Sequence, residues 1–216
     1  MLKHASTQYQ LKPLTPADLS GVARIHEKAF PESLLTLFGI ETIVKYYNWQ
    51  MIPPNVCEAI GVFAGDDLVG FCFAGAFRNA EVYFINENFF YFLGKLLSHP
   101  SLLLKKQVYL RVFNTLNNFK DHILKGNWKR SKSEQVKSDR FGILSIAVDP
   151  DAQGSGVGKM LMTEMERIAR ELGHRQIRLN VHPENQNAVI FYEKMGWEKV
   201  NYEPELPWQG YMEKQL

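Results

Sequence analysis

Cysteine is nearly absent from this chain: only Cys57 and Cys72 occur in 216 residues. Both lie in apolar, strand-like runs where a buried thiol is the usual outcome, so a disulfide-stapled scaffold is not expected. An excess of one charge is also lacking. Lys and Arg number 25 against 23 Asp and Glu, a formal net charge of +2, so no nucleic-acid-binding surface is expected beyond what a local patch could provide. No apolar run reaches the roughly 18 to 20 uninterrupted residues of a membrane span. The greasiest stretch, Val82 to Leu104, is broken by Asn86, Glu87, Asn88, Lys95, His99 and Pro100. Met1 to Gln10 is polar and lacks the apolar core of a secretory leader, which predicts a cytoplasmic protein. The remaining composition, 45% hydrophobic and 22% charged, excludes disordered and fibrous classes. The length favours one domain carrying an insertion.

Along the chain, Tyr9 to Leu14 reads as a strand, and Thr15-Pro16-Ala17-Asp18 then supplies a cap, a proline at the first helical position and an acid in the first turn. Helices are predicted over Pro16 to Phe30 and Leu34 to Met51, the second ending before Pro53-Pro54. Two β-like runs, Glu58 to Ala64 and Leu68 to Phe77, joined by Gly65-Asp66-Asp67, predict a hairpin. From Phe84 to Lys125 two or three helices are expected, with breaks at Gly94 and His99-Pro100, and Gly126 to Asp139 reads as a polar loop. Lys125, Lys129, Arg130, Lys132, Lys137 and Arg140 face only Glu134 and Asp139 there, which suits either a solvated connection or a lip for an anionic acceptor.

The last third is a β-α-β-α run: strand Phe141 to Val148, helix Gly156 to Leu172, strand Gln176 to Val181 and helix Asn187 to Met195. Val157, Met160, Leu161, Met165, Ile168, Ala169 and Leu172 recur at helical spacing and read as a core face, with Gly173 placed to end the helix. A strand, crossover helix and strand in that order predict parallel pairing, with the loop after the first strand at the carboxyl edge where ligands commonly bind. The tail from Glu198 to Leu216 offers two more short strands. The expected architecture is an α/β (α+β) domain with a mixed sheet of about seven strands flanked by helices.

Gln153-Gly154-Ser155-Gly156-Val157-Gly158-Lys159 lies between the apolar strand and the amphipathic helix. Backbone N–H groups converging at a helix N-terminus form an anion site, although a tight strand-to-helix turn needs the same glycines. Spacing excludes two phosphate motifs. A nucleoside triphosphate loop ending in Gly158-Lys159 would need glycine at Gln153 and a hydroxyl at Met160. A dinucleotide fingerprint from Gly154 would need glycine at Lys159 and an acid after the next strand, which instead ends Val181-His182-Pro183.

The pattern that fits is Gln-x-x-Gly-x-Gly, with Val148-Asp149-Pro150 before it and Asn185-x-x-Ala188-x-x-Phe191-Tyr192-x-Lys194-x-Gly196-Trp197 after it. This resembles the GNAT superfamily of acyl-CoA-dependent N-acyltransferases, specifically over Phe141 to Val200, more weakly over Tyr9 to Phe77, and not over Phe84 to Arg140. The resemblance implies that Gln153, Gly154, Ser155, Gly156, Val157, Gly158 and Lys159 hold the pyrophosphate of acetyl-CoA. It implies that Ile146, Ala147 and Val148 line the pantetheine arm, that the Val148 N–H faces the thioester carbonyl, and that Asn185 fixes the arm and the last helix. Tyr192 matches the family's tyrosine that protonates the departing thiolate; a phenol with a pKa of about 10 donates while staying neutral at pH 7.

Where some members carry a glutamate base, this chain has Gly142 and Asn180. Glu81, Asp149, His182, Glu184 or a water chain remain as candidates, and no His or Cys spacing suggests a metal. The expected activity is acetyl transfer to a small-molecule or peptide amine. An inactive acyl-CoA sensor and an alcohol acylase are the competing readings, and nothing in the sequence indicates the oligomeric state.

Overall fold

The computed structural model describes residues 8–53, 55, 57–75, 80–105, 108, 141–201, 203 and 207–216. The polar stretch from Gly126 to Asp139, with its basic cluster, lies outside the described residues. A seven-stranded mixed sheet has the order β1-β2-β3-β4-β5-β7-β6. β1 (Tyr9–Pro13), β2 (Glu58–Ala64), β3 (Asp67–Gly75) and β4 (Phe141–Val148) form an antiparallel meander. β4 then meets β5 (Gln176–Asn180) in parallel, and β7 (Tyr211–Gln215) pairs antiparallel with both β5 and β6 (Glu198–Lys199).

Each face of the sheet buries its own core. One is covered by α1 (Leu19–Ala29), α2 (Leu34–Leu37), α3 (Ile40–Met51), α4 (Ala80–Glu87) and α5 (Phe89–Ser98), with Val22, Ile43, Tyr47, Phe71, Phe73 and Phe84 among the buried side chains. The other is covered by α6 (Val157–Glu171) and α7 (Gln186–Lys194) through Leu161, Met162, Met165, Val189 and Tyr192. Alternation along the strands produces this division: Phe71 and Phe73 face the first core while Cys72 and Ala74 face the second. Both cysteines are free thiols.

The chain start follows its sequence signals. The Asp18 carboxylate accepts from the Thr15 N–H at 2.8 Å and the Thr15 hydroxyl at 2.7 Å, and Pro16–Asp18 form a 3-10 turn that opens α1.

Three expectations need correction. The helix expected from Leu34 to Met51 is two helices, because Gly39 at φ 94 leaves the helical region between α2 and α3. The break expected at Gly94 is absent: α5 runs through it, since packing of Phe92 against Phe38 and Phe84 outweighs a glycine cost of about 1 kcal/mol. The break instead falls at Asn88, whose amide donates to the Phe84 carbonyl at 2.9 Å. Finally, Leu172 is exposed, because α6 ends at Glu171 and the chain turns away from the core at Gly173. Among the described residues no helix is long and apolar enough to cross a membrane.

The contact of α6 with the sheet depends on Gly70, which lies opposite Val148. A methyl group there would stand 2.7 Å from Val157 Cγ1, 3.2 Å from Leu161 Cδ1 and 3.2 Å from the Ala147 carbonyl oxygen. All three neighbours are buried, so none can move freely. Gly70→Ala is expected to destabilise the fold by about 1–3 kcal/mol in urea unfolding. A loss below about 0.5 kcal/mol would show that α6 slides at little cost.

Candidate functional site

β4 and β5 pair only at Phe141–Ile177 and Gly142–Arg178, and beyond that rung they separate. β4 remains bonded to β3 to its end, where the Asp149 N–H donates to the Val69 carbonyl at 2.8 Å. Backbone direction alternates along a strand, so Ala147 turns its N–H and C=O toward β3, and Ile146 and Val148 turn theirs into the gap. On the far side β5 is held by β7 along its length, and the Val181 N–H donates to the Gly210 carbonyl at 2.8 Å. The gap therefore has one strand edge lined by unpaired backbone groups. This geometry brings the backbones of Ile146 and Val148 to the gap. It does not bring Ala147, whose backbone is engaged by β3 and whose side chain is buried.

The glycine loop lies at the carboxyl end of the gap. Gln153 to Gly156 and Lys159 are exposed, and Gly156 precedes α6 at φ 91 with open space where a Cβ would be. Two of the expected amides are spent locally: the Gln153 N–H donates to the Pro150 carbonyl at 3.3 Å and the Ser155 N–H to the Ala152 carbonyl at 3.4 Å. The first intrahelical bond runs from the Met160 N–H to the Gly156 carbonyl, which leaves the N–H groups of Gly156, Val157, Gly158 and Lys159 without acceptors among the described residues. Four such amides at the positive end of a helix dipole can hold a phosphate group. Val157 can contribute only its backbone, because its side chain is in the core.

Asn185 caps α7, its Oδ1 accepting from the Ala188 N–H at 3.2 Å. Tyr192 sits on the same face of the sheet as Ile146 and Val148, packed on Phe191 and Trp197. Burial raises its phenol well above the usual tyrosine range, with the Cys72 thiol adding to the shift, so the hydroxyl keeps its proton. Among the described residues none accepts a hydrogen bond from that hydroxyl.

The carboxylate candidates are dispersed. Asp149 is bound by Lys28 at 2.9 Å and accepts from the Asp151 N–H at 3.1 Å; the Lys28 hydrogen bond holds its carboxyl below the ordinary range, so it anchors the loop to α1. His182 accepts from the Glu184 N–H at 3.3 Å, and both residues are exposed. Glu81 opens α4 near Tyr46. Among the described residues no cluster could hold a metal ion.

One polar array escaped the sequence reading. On the opposite face of β4 from Tyr192, Ser145 Oγ is 2.8 Å from the Tyr47 hydroxyl, which is 2.8 Å from His26 Nδ1; His26 Nε2 is 3.0 Å from Ser33 Oγ. These residues come from β4, α3, α1 and the α1–α2 connection, and no sequence spacing relates them.

The Acetyltransferase (GNAT) family model matches residues 111–197. Mycothiol acetyltransferase of Saccharomonospora viridis is 33% identical over 94 residues, 41% of this chain and 30% of that protein. The matches span less than half the length of the curated relatives. Over nearly the whole chain the fold is similar to the ribosomal-protein-S18-alanine N-acetyltransferase from Escherichia coli, with a TM-score of 0.54, 16% identity and coverage of 96% and 94%. It is also similar to the PaiA N-acetyltransferase from Thermoplasma acidophilum solved in complex with coenzyme A, with a TM-score of 0.53, 14% identity and coverage of 97% and 99%. Fold, motifs and family match agree. Over residues 111–197 the chain is similar to the GNAT acetyltransferase family.

His26 has a measurable signature. It is 5% exposed, and burial pushes its imidazole from 6.5 down to about 4. Between these values the unfolded chain binds a proton that the folded chain refuses, so stability rises with pH through this window and is lost as pH falls from about 6.5 toward 4. The contribution is on the order of 3 kcal/mol. Urea midpoints of the parent are expected to drop across the window, and His26→Gln should flatten that drop. Equal slopes for the two proteins would assign the acid limb to other groups.

Proposed function

We propose that this protein transfers an acetyl group from acetyl-CoA to a primary amine by direct attack within a ternary complex. The observation that carries this reading is the gap between β4 and β5, where unpaired Ile146 and Val148 backbone groups run toward four free amides at the start of α6. The motif resemblance and the family match support the same reading.

On this reading, the amides of Gly156, Val157, Gly158 and Lys159 bind the CoA pyrophosphate, and Gly154 and the exposed Gln153 and Ser155 border it. Ile146 and Val148 pair with the pantetheine arm as an added strand would. The Val148 N–H then stabilises the carbonyl oxygen as the amine attacks and negative charge develops. A carbon–nitrogen bond forms and the carbon–sulfur bond breaks. Tyr192 gives its hydroxyl proton to the departing sulfur, and the proton released by the nitrogen restores the phenol through solvent. Asn185 keeps α7, and with it Tyr192, in register by capping the helix.

Release of free thiol from acetyl-CoA across amines and alcohols tests the reaction class. Amine-dependent release supports the proposal. Release with alcohols alone would mark an O-acyltransferase, and CoA binding without release would mark a sensor.

Gly156→Val tests the loop. A β-branched side chain at φ 91 strains the turn and fills the open space above the amides. CoA binding by calorimetry should weaken by at least about tenfold, the loss of one charge-assisted hydrogen bond. Unchanged affinity would make the loop purely structural.

Tyr192→Phe tests the acid. Ring packing on Phe191 and Trp197 is retained, so Kd for CoA should hold while kcat falls about 10²- to 10⁴-fold. A parental kcat would exclude Tyr192 as the proton donor.

A further inference from the structure

The hydrogen-bond array behind β4 has a direction that can be deduced by counting protons. It contains five contacts in series: Ser145 Oγ to Tyr47 Oη, Tyr47 Oη to His26 Nδ1, His26 Nε2 to Ser33 Oγ, Ser33 Oγ to Thr36 Oγ1, and Thr36 Oγ1 to the Phe30 carbonyl. Their lengths lie between 2.8 and 3.0 Å. Four hydroxyls and one neutral imidazole supply one proton each, and the carbonyl at the end supplies none. Only one arrangement gives every contact a proton. Thr36 donates to Phe30, Ser33 to Thr36, His26 Nε2–H to Ser33, Tyr47 to His26 Nδ1, and Ser145 to Tyr47. The Thr36 N–H, which donates to Ser33 Oγ at 3.1 Å, fits the same arrangement.

Ser145 stands at the open end of this chain. Its one proton is committed to Tyr47, so any further hydrogen bond it makes must be accepted on a lone pair. Three facts place that lone pair beside the site described above. Ser145 is half-buried and directly precedes Ile146, whose backbone faces the gap. It lies beside a bulge in β4, where the register skips Leu144 between the Phe73 and Ala74 rungs. It occupies the face of the sheet opposite Tyr192, the side away from the proposed sulfur.

From this we infer that Ser145 is the residue that orients the acceptor amine, its hydroxyl oxygen accepting an N–H of the nucleophile, with Tyr47 and His26 as positioning residues that hold it in the accepting state. The inference rests on the proposed function. An amine whose N–H is taken by Ser145 is left with its lone pair free to turn toward the carbonyl held at Val148, while the thiolate departs on the Tyr192 side. An alcohol could satisfy Ser145 only with its single proton, and an acceptor without N–H or O–H could not satisfy it at all. The array therefore favours acceptors that have a hydrogen to donate, as a primary amine does.

Two measurements test this. Nitrogen-15 spectra of histidine-labelled protein at pH 7 should show His26 neutral, with the proton on Nε2; a proton on Nδ1 reverses the chain and overturns the inference without touching the proposed function. Steady-state kinetics with methylamine, spermidine and glucosamine should show that Ser145→Ala lowers kcat/KM for the best amine by about 10- to 100-fold, the effect of one hydrogen bond to a charged or polarised donor. KM for acetyl-CoA and the thermal midpoint should stay at parental values. Tyr47→Phe, which keeps the ring and frees the Ser145 proton, should shift amine kcat/KM in the same direction by less. Equal losses toward both substrates, or an unchanged amine kcat/KM in Ser145→Ala, overturn the assignment. A parent that releases no thiol with any amine overturns the proposed function, and the amine assignment falls with it.

Discussion

Everything distinctive about this molecule depends on a ladder that stops early. Parallel pairing of β4 with β5 ends at Gly142–Arg178, although β4 continues to Val148 and β5 to Asn180. A buried N–H or C=O without a partner costs free energy on the order of 1–3 kcal/mol, so strands do not separate unless other contacts hold them apart. Here β3 holds β4 and β7 holds β5, each by a full antiparallel ladder. The bulge at Leu144 adds local twist where separation begins. The open edge is thus a consequence of two well-formed ladders, and an extended ligand with its own amide groups could complete it.

The same constraint explains why the two faces of the sheet differ. Side chains alternate along β4, so Ile146 and Val148 extend toward the α6 and α7 face while Ser145 and Ala147 extend toward α1 and α3. One face carries Tyr192, a phenol that burial keeps protonated. The other carries a directed chain whose histidine burial keeps neutral. Burial acts in opposite directions on the two pKa values and for one reason: the charged form of each group is the one disfavoured in a poorly solvated site. On the proposed reading a donor and an acceptor therefore flank the gap, and among the described residues burial, not a charged side chain, sets the state of Tyr192 and of His26.

The sequence disclosed the parts of this arrangement that are contiguous. The glycine loop, the α6 core face and the cap at Asn185 occupy local spacings that only a strand-turn-helix unit explains, and their places in the fold follow. What it could not disclose are relations across the fold. Tyr47 lies 21 residues from His26 and 98 from Ser145, and each alone reads as an ordinary core or surface residue. Local competition was equally hidden: Gln153 and Ser155 look like equal members of the loop, yet their amides are used by the turn that presents the others. The uninterrupted α5 shows the opposite failure, a breaker residue at Gly94 overridden by aromatic packing that no local signal reports.

The missing carboxylate at Gly142 can be assigned to chemistry more than to space. A Cβ there would meet the Arg178 and Gly75 carbonyls at 3.6 and 3.8 Å, ordinary contact distances, so the backbone does not require glycine. The backbone would admit a side chain at that rung, and the chain does without one. With an amine pKa near that of lysine, about 10.4, only about one molecule in 2,500 is unprotonated at pH 7. An enzyme of the proposed kind without a dedicated base must accept that small population, pass the proton to water, or select acceptors whose amine is less basic. The directed hydroxyl of Ser145 suits the first of these. By taking an N–H it orients the nitrogen lone pair in the fraction that is already neutral, so rate is gained from geometry where proton removal is left to solvent.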